Sequence, residues 1–380
     1  MWLGPCSSQP FQPASSTVQG RAKVGSVGRL RAPGETDVTR VTILGAGDMG
    51  TALLTPLHAG GHELRLWGTD RDTAIIEALE RGDPHPRLGI PLPSGVSTLG
   101  DTDAAVALDG AEIVVVAITS NAIRPVLGLL THELGNPRAI VVVGKGFDSG
   151  PGGNEILLLP NVIGEFSRAP VVAVGGPSIA KEVAIGTPTA ATFGSTDPEA
   201  LALAREVFST PVYFIETTED VAGLEVAAAM KNAYGVAIGI ADGIEKRTGL
   251  PHANMRAALF PHAVAEMGLL AEALGGRRET VAGLSGTGDL QVTVTSGRNR
   301  LLGERIGMGL SGAKAFNELT AAGTTTEGYL ATDYGYRLAQ RVLPEGEAVS
   351  RQFPLLDALY RILYEGEPAT ESLWGAVRSS

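Results

Sequence analysis

The chain has 380 residues and a hydrophobic content of 44%, enough for two domains with sizeable cores, and its formal net charge is −11. Residues 1–37 carry +2, so the remaining 343 residues carry −13, and such an acidic body disfavours nonspecific binding of nucleic acid. The single cysteine, Cys6, excludes a disulfide framework and favours a reducing, cytoplasmic compartment, and no apolar stretch reaches the roughly 18 residues of a membrane span.

Residues 1–37 are rich in Ser, Pro, Gly and Gln and show little apolar periodicity, which predicts a disordered N-terminal extension. The same stretch is basic and has no acidic residue before Glu35, a composition that is also typical of an organellar targeting segment. A plain tail without a targeting role is the simpler interpretation.

Residues 38–218 alternate apolar strand candidates with helices and are predicted to form a dinucleotide-binding domain. The predicted strands are 42–44, 64–67, 113–118, 139–143 and 171–174, and the predicted helices are 70–81, 122–134 and 198–208. Such near-continuous Val and Ile runs between helices indicate a parallel sheet that is covered on both faces. The loops 84–93, 144–153 and 175–178 are interpreted as following strands, so they are expected to line one crevice at the carboxyl edge of the sheet.

Three glycines follow the first predicted strand at the spacing G-x-G-x-x-G, and a helical run begins directly after them. Gly45 would allow the tight turn, Gly47 would let a pyrophosphate approach the backbone, and Gly50 would let the helix pack against the strand. A second apolar strand about twenty residues on supports a dinucleotide site over the alternative of a tight turn without a ligand.

Residues 219–380 lose the strand signal and are predicted to form an α-helical substrate domain. The predicted helices are 221–246, 254–274, 298–308, 312–322, 326–343 and 354–364. The fold class that follows is α/β, with an N-terminal Rossmann-type domain and an all-α C-terminal domain.

Lys231 lies among small apolar residues of the first of these helices, and burial would favour its neutral amine for proton exchange with a carbonyl. The alternative is a lysine that extends to solvent. Asp242 lies eleven residues further and is expected on the same helix face. Asp289, at the end of a glycine-rich turn over 285–290, is placed to pair with Lys231 and orient it.

Arg298 and Asn299 begin a predicted helix, where a guanidinium and free N–H groups form a good phosphate clamp, although an ordinary helix start is the alternative. Glu327 can bind a sugar hydroxyl or can simply be an acidic residue favoured by the helix dipole. The six histidines show no metal-ligand spacing and are interpreted as structural, so no metal site is predicted.

From residue 41 to residue 367 the sequence resembles the NAD(P)-dependent glycerol-3-phosphate dehydrogenase family. The resemblance rests on several separate motifs in the order typical of the family: 45–50, 60–63 with 66–68, 144–146, 176–178, 230–232, 239–243, 288–290, 298–300 and 327–329.

The resemblance implies reversible reduction of dihydroxyacetone phosphate to sn-glycerol 3-phosphate by NADH or NADPH, in a homodimer, with Lys231 as proton donor and acceptor. Catalytic roles are implied for Lys231, Lys145 and Asp289. Substrate contacts are implied for Lys145, Gly176, Ser178, Asn232, Thr293, Arg298 and Asn299. Cofactor contacts are implied for Gly45, Gly47, Asp48, Met49, Gly50, Thr69, Lys145, Ala180, Arg298 and Glu327.

Three positions depart from the family pattern and bear on the cofactor. The glycine loop has Asp48 and Met49 where Ser or Asn with an aromatic residue is usual, and Asp48 places negative charge near the expected pyrophosphate. Thr69 stands where bacterial members have an Arg or His that can meet the 2′-phosphate of NADP, so NAD is favoured over NADP.

Two other functions are compatible with the same residues. One is a related dehydrogenase that acts on another phosphorylated ketone or on a hydroxy acid. The other is a non-catalytic NAD(P)-binding redox sensor, against which Lys231 and Lys145 argue because a sensor has no need of them.

Overall fold

The computed structural model describes residues 38–379, so the predictions made for residues 1–37 lie outside the described residues. Within the described range, no helix is long and apolar enough to cross a membrane.

The first half of the described chain is built on parallel strands that alternate with helices. The strands are β1 (Arg40–Leu44), β2 (Glu63–Trp67), β3 (Ser97–Leu99), β4 (Ile113–Val116), β5 (Ala139–Val142), β6 (Phe147–Asp148), β7 (Leu157–Leu158), β8 (Val171–Gly175), β9 (Thr189–Gly194) and β10 (Tyr213–Thr218). The helices are α1 (Asp48–Ala59), α2 (Thr73–Glu80), α3 (Ala104–Leu108), α4 (Ser120–Leu129), α5 (Leu159–Gly164), α6 (Ala180–Ala184) and α7 (Pro198–Phe208). The five predicted strands are therefore present, whereas β3, β6, β7, β9 and β10 were not predicted.

The main sheet has the strand order β10-β9-β8-β5-β4-β1-β2-β3, and β6 and β7 form a separate short ribbon. Within this order, the six neighbouring strands β8, β5, β4, β1, β2 and β3 run parallel to one another. Strand β9 pairs with β8 in the antiparallel sense, and β10 then runs parallel to β9. The parallel sheet predicted for the five strands is therefore confirmed, and the antiparallel pairing lies between β8 and the unpredicted β9, which only the short helix α6 and its flanking turns connect. Mixed sheets with an antiparallel edge are common in this class of fold.

Helices cover both faces of the sheet, as the unbroken apolar strands predicted. Val41 and Ile43 of β1 join one core with the side chains of α1, α2 and α7. Leu44 of the same strand joins a second core with α4 and α5, because successive strand residues point to opposite faces.

The second half of the described chain is helical. Its helices are α8 (Val221–Thr248), α9 (Ala253–Ala273), α10 (Arg278–Ala282), α11 (Asp289–Ser296), α12 (Arg298–Gly307), α13 (Gly312–Ala321), α14 (Glu327–Val342), α15 (Val349–Gln352), α16 (Pro354–Tyr360) and α17 (Ala369–Ser379). The six predicted helices match α8, α9, α12, α13, α14 and α16 within a few residues. The predicted glycine-rich turn at 285–290 is instead a π-helical turn, Leu284–Gly288, that leads into α11.

Helix α8 is the centre of this half and is buried along most of its length. The Asp220 carboxylate caps its start by accepting the N–H of Gly223 at 2.9 Å, and Gly249 ends it with a φ of +71°. Helix α12 packs on α8 with backbones almost in contact, since a Cβ on Gly239 would collide with the carbonyl oxygen of Arg300 and a Cβ on Gly303 with that of Val236. Small residues at both positions thus fix how α12 lies on α8.

Candidate active site

Two lysines share one buried carboxylate at the junction of the sheet and the helices. Asp289 accepts from Lys145 Nζ at 2.5 Å through Oδ2 and from Lys231 Nζ at 2.6 Å through Oδ1. The Asp289 side chain is 1% exposed, and those of Lys231 and Lys145 are 11% and 17% exposed. Lys231 is therefore buried rather than extended to solvent, and Asp289 is its partner as predicted.

Three separate elements deliver these side chains. Lys145 follows the carboxyl end of β5, Lys231 lies in the middle of α8, and Asp289 is the first residue of α11. Lys145 also donates to the carbonyl oxygen of Gly176 at 2.8 Å, which ties it to the turn after β8. Thr293 accepts from Lys231 at 3.0 Å and donates to the Asp289 carbonyl at 2.7 Å, so it holds the pair from one helical turn further.

Burial lowers the pKa of Lys145 from 10.5 to about 8, because desolvation disfavours its charged form. The Asp289 carboxylate opposes this shift, and the nearby Lys231 ammonium adds to it. Lys145 is thus close to giving up a proton just above neutral pH.

A row of side-chain amides connects the lysine loop to the start of α14. Asn232 donates to the Lys145 carbonyl at 3.3 Å, Asn299 donates to the Asn232 side-chain oxygen at 2.9 Å, and Asn299 accepts the N–H of Gly328 at 2.8 Å. The side chain of Asn299 is therefore engaged within the protein. Its backbone N–H still belongs to the first turn of α12, where such groups lack an intrahelical acceptor.

Arg298 and Glu327 form an ion pair beside these amides. Arg298 Nη2 lies 3.2 Å from Glu327 Oε1, and the arginine side chain is 57% exposed while that of the glutamate is 23% exposed. Arg298 begins α12 and Glu327 begins α14, as the sequence predicted for helix-start residues. An exposed guanidinium at a helix start can meet an incoming anion with the N–H groups that Glu327 does not accept.

Gly176 and Ser178 lie on the turn between β8 and α6. Gly176 has a φ of +96°, a conformation that side chains other than hydrogen rarely adopt, and its carbonyl holds Lys145. The Ser178 hydroxyl is buried and makes no hydrogen bond to the lysine cluster. Ala180 is the first residue of α6, and α6 packs against α1.

Asp242 does not join the lysine cluster, although it lies on the same helix as Lys231. Its carboxylate pairs with Arg300 at 2.7 Å and with Arg256 at 3.0 Å, and it ties α8 to α12 and α9. Three helical turns separate it from Lys231, about 16 Å along the axis, so a shared face does not bring the two groups into contact.

The glycine-rich loop has the shape of a dinucleotide cradle. Gly45 has a φ of +107° and donates its N–H to the Trp67 carbonyl at 2.8 Å. A Cβ on Gly50 would collide with the Gly45 carbonyl, whereas a Cβ on Gly47 would meet only the Arg87 guanidinium, at 3.7 Å. Gly45 and Gly50 thus serve the turn, and Gly47 leaves the α1 N-terminus open, which fits a bound pyrophosphate.

Three residues that the sequence did not single out surround this loop. Asp72 accepts the N–H of Ala46 at 3.3 Å and both the N–H and the hydroxyl of Thr69, at 3.0 and 2.9 Å. His85 bonds the Ala46 carbonyl at 3.1 Å, and Arg87 pairs with Asp48. Asp72 lies about twenty residues after the glycines, where the dinucleotide pattern expects an acid, and that spacing was the available signal.

Two further predictions concern this region. The loop 84–93 follows helix α2 rather than a strand, so its assignment to a strand end is wrong, yet it folds back onto the glycine loop through His85. Met49 lies in the first turn of α1 and packs partly buried against the sheet core.

Among residues 38–379, no group of three His, Cys, Asp or Glu side chains is arranged to hold a metal ion.

The sequence matches two profiles that together cover most of the described chain. The N-terminal profile of NAD-dependent glycerol-3-phosphate dehydrogenase matches residues 40–201, and the C-terminal profile of the same family matches residues 220–373.

Similar proteins carry the same name. An Archaeoglobus fulgidus protein named NADP(+)-dependent glycerol-3-phosphate dehydrogenase is 38% identical over 341 residues, covering 88% of this chain and 98% of that protein. A Geobacillus kaustophilus protein named glycerol-3-phosphate dehydrogenase (NAD(P)+) is 36% identical over 337 residues, covering 88% of this chain and 92% of that protein.

Solved structures agree with the fold. The Coxiella burnetii glycerol-3-phosphate dehydrogenase superposes with a TM-score of 0.76 at 28% identity, covering 89% of this chain and 98% of that one. The Plasmodium falciparum glycerol-3-phosphate dehydrogenase has a TM-score of 0.78 at 22% identity, covering 89% and 95%, which bears on the fold alone. The chain therefore belongs to the NAD-dependent glycerol-3-phosphate dehydrogenase family.

Proposed function

We propose that this protein reversibly reduces dihydroxyacetone phosphate to sn-glycerol 3-phosphate with NADH or NADPH. The observation that carries the proposal is the pair of buried lysines on Asp289, because ketone reduction needs a proton donor held beside the carbonyl oxygen. A hydroxyl or a metal-bound water would be needed in place of the lysines for hydrolytic chemistry.

Lys231 is assigned as the group that donates the proton to the carbonyl oxygen during reduction and takes it back during oxidation. A nicotinamide cofactor supplies or accepts the hydride when bound. Asp289 holds the Lys231 ammonium through Oδ1 and thereby fixes where its remaining protons point. Lys145, held on the other oxygen of the same carboxylate, places a second positive charge where the oxygen becomes negative.

The phosphate is assigned to the first turn of α12 and to Arg298. Supporting this assignment are the exposed guanidinium, the N–H groups of a helix start and the proximity of Asn299 to Asn232 in the lysine loop network. Glu327 then keeps Arg298 oriented when substrate is absent. A phosphate held at this fixed point would orient the ketone toward Lys231.

NAD is proposed as the preferred cofactor. The turn after β2 contains Asp70, Arg71 and Asp72, so two carboxylates accompany one guanidinium where a 2′-phosphate would lie, and Thr69 offers no cation. The name of the A. fulgidus relative supports NADP instead, and the measured cofactor preference decides between the two.

The function is tested by following the oxidation of NADH and NADPH in the presence of dihydroxyacetone phosphate. Turnover with at least one cofactor is expected, and no turnover with either one would refute the substrate assignment. Preference for an unphosphorylated hydroxy or keto acid would refute the phosphate role of Arg298, and preference for another phosphorylated ketone would keep it.

The role of Lys231 is tested by Lys231→Ala. We expect turnover to fall by at least about a hundredfold, since a positioned acid contributes roughly 10²–10⁴-fold, while NADH still binds. Unchanged turnover would remove Lys231 from the mechanism, and a wild-type protein that binds NADH without any turnover would favour the redox-sensor alternative.

Three broader assignments are also proposals. The domain boundary is placed between residues 218 and 219, supported by the Asp220 cap of α8 and by the start of the C-terminal profile match at residue 220. A homodimer is supported by the family resemblance and is checked by light scattering. A cytoplasmic location is supported by the presence of one cysteine, Cys6, in 380 residues.

A further inference from the structure

Arg87 reaches the glycine-rich loop from outside the strands that form the cradle. It lies in the loop between α2 and β3, and its Nε is 2.6 Å from Asp48 Oδ1, with both side chains partly exposed. Its Nη2 lies 3.7 Å from the place that a Cβ on Gly47 would occupy. The guanidinium therefore stands over the open side of the cradle, beside the N-terminus of α1.

A buried histidine fixes the backbone of the segment that carries Arg87, in addition to the surface ion pair with Asp48. The ring of His85 is fully buried, and its Nδ1 accepts the N–H of Leu88 at 3.1 Å and that of Arg87 at 3.3 Å. Nε2 must then carry the proton and donate it to the Ala46 carbonyl, 3.1 Å away. The segment that bears Arg87 is thus fastened to the residue between Gly45 and Gly47.

Asp48 explains why a cation is needed at this place. It is the first residue of α1, and it stands where the negative charge of a pyrophosphate would arrive. Its carboxylate does not cap the helix but turns to Arg87. The arginine uses one N–H for Asp48 and retains the N–H groups of its two terminal nitrogens, because a guanidinium has five donors in a planar fork.

We propose that Arg87 binds the pyrophosphate of the dinucleotide and that His85 positions it, so that the two residues complete the cofactor site. The guanidinium neutralises Asp48 and offers its terminal N–H groups to a phosphate oxygen. This inference rests on the proposed function only in requiring that a dinucleotide binds at residues 45–50. The contact is independent of the base and of the 2′ position, so it serves NADH and NADPH equally.

The test is direct titration of NADH and NADPH by fluorescence, which needs no turnover. Arg87→Ala is expected to weaken both cofactors by the same factor, roughly tenfold to a hundredfold for the loss of a charged hydrogen-bond donor. The matched control is Arg81→Ala, which removes a surface arginine paired with Asp83 at 3.1 Å and with similar exposure. The control is expected to bind both cofactors as the wild type does.

The double variant Asp48→Asn with Arg87→Ala separates the charge argument from simple damage to the loop. It is expected to bind NADH more tightly than Arg87→Ala alone, because the uncompensated carboxylate has gone. Equal affinity of the single and double variants would overturn the argument. A much larger loss for NADPH than for NADH would assign Arg87 to the 2′-phosphate and overturn the pyrophosphate assignment, as would unchanged binding of both.

If the protein showed no turnover with dihydroxyacetone phosphate, the proposed substrate would be refuted, but the cofactor titration would still test the role of Arg87. Loss of folding is checked by the melting temperature of Arg87→Ala, and Arg87→Lys provides a second variant that keeps the charge but loses the fork. Lysine is expected to restore part of the affinity for both cofactors. Affinity no better than that of the alanine variant would overturn the electrostatic part of the proposal.

Discussion

Asp289→Asn is the substitution that most directly tests how the lysine pair is held. The amide keeps the shape of the carboxylate but presents an oxygen to one lysine and an NH₂ donor to the other. One of the two ammonium groups, which now lie 2.5 and 2.6 Å from the carboxylate oxygens, would then face another donor in a buried site. We expect turnover to be largely lost, because Lys231 is no longer oriented.

The loss in free energy of unfolding that Asp289→Asn causes has an upper limit, because a buried lysine can give up its proton. Removing one partner of a buried ion pair costs about 3–5 kcal/mol when the other charge must stay. Lys145 has a pKa of about 8, so it can shed its proton at pH 7 for only about 1.4 kcal/mol. When the lost hydrogen bond is added, we expect Asp289→Asn to lower the free energy of unfolding by about 2–3 kcal/mol at pH 7.

The same reasoning fixes the pH dependence. In the wild type, folded Lys145 begins to lose its proton near pH 8, whereas the unfolded chain keeps it to about pH 10.4, so stability rises with pH above 8. Without the Asp289 carboxylate, the pKa of Lys145 in the folded protein falls further, so the increase of stability with pH starts at a lower pH. The stability difference between variant and wild type should therefore shrink by about 1 kcal/mol between pH 7 and pH 9.

Urea unfolding at pH 7, 8 and 9 measures this difference, and steady-state kcat reports the loss of activity. The matched control is Asp242→Asn, because Asp242 also joins two cations, Arg300 and Arg256, but arginine keeps its proton throughout this range. The control should show a pH-independent loss of stability. A difference for Asp289→Asn that stays constant from pH 7 to pH 9 would refute the account of Lys145.

Gly239→Ala is expected to destabilise the protein by about 1–3 kcal/mol in urea unfolding, since its Cβ would collide with the Arg300 carbonyl, whereas Gly128→Ala in α4 has room for its Cβ and should be neutral or slightly stabilising. Glu225 is fully buried, and burial raises its pKa from 4.5 to about 8, so its stabilising contribution is present below pH 4.5 and is lost as the pH rises toward 8. Glu225→Gln should accordingly melt close to the wild type at pH 5 and clearly above it at pH 8, and a pH-independent difference would contradict the buried acid. NADH should show a higher kcat/KM than NADPH, because the Asp72 carboxylate lies at the turn after β2, and the reverse ratio would contradict the preference.

The elements that the sequence predicted are those whose residues carry a strong local signal. The apolar strands β1, β4 and β5 and the long helix α8 were found because burial on both faces leaves an unbroken apolar sequence. Strand β10 was missed because it is a sheet edge on which Tyr213 and Ile215 are buried and Phe214 is exposed, so its pattern alternates over only a few residues. The antiparallel direction of β9 relative to β8 depends on tertiary packing, which no local pattern encodes.

The site residues also differ in whether a local sequence signal predicts them. Pairing of Lys231 with Asp289 could be inferred because both residues stand out chemically from apolar or glycine-rich surroundings. The contribution of Lys145 to that pair depends on how the end of β5 meets α8 and α11, and the motif resemblance supplied it rather than any spacing. Arg87 and His85 could not be found, because the loop that carries them follows a helix and returns to the glycine turn through a single buried ring.

Local charge, more than net charge, decides what this protein can bind. The chain as a whole carries −11, which would repel a doubly charged phosphate ester at long range. At the proposed substrate site, however, three cations, Lys145, Lys231 and Arg298, stand against two carboxylates, Asp289 and Glu327. Because Asp289 is almost fully buried behind the lysines, an anion that enters the crevice meets the ammonium groups first. The acidic surface is screened within about 8 Å at physiological salt, so raising the salt concentration should weaken long-range repulsion before it weakens the buried contacts. The affinity for dihydroxyacetone phosphate should therefore fall only modestly with moderate salt, through the exposed Arg298, and a steep loss between 50 and 200 mM would indicate that the buried lysines contribute little to binding.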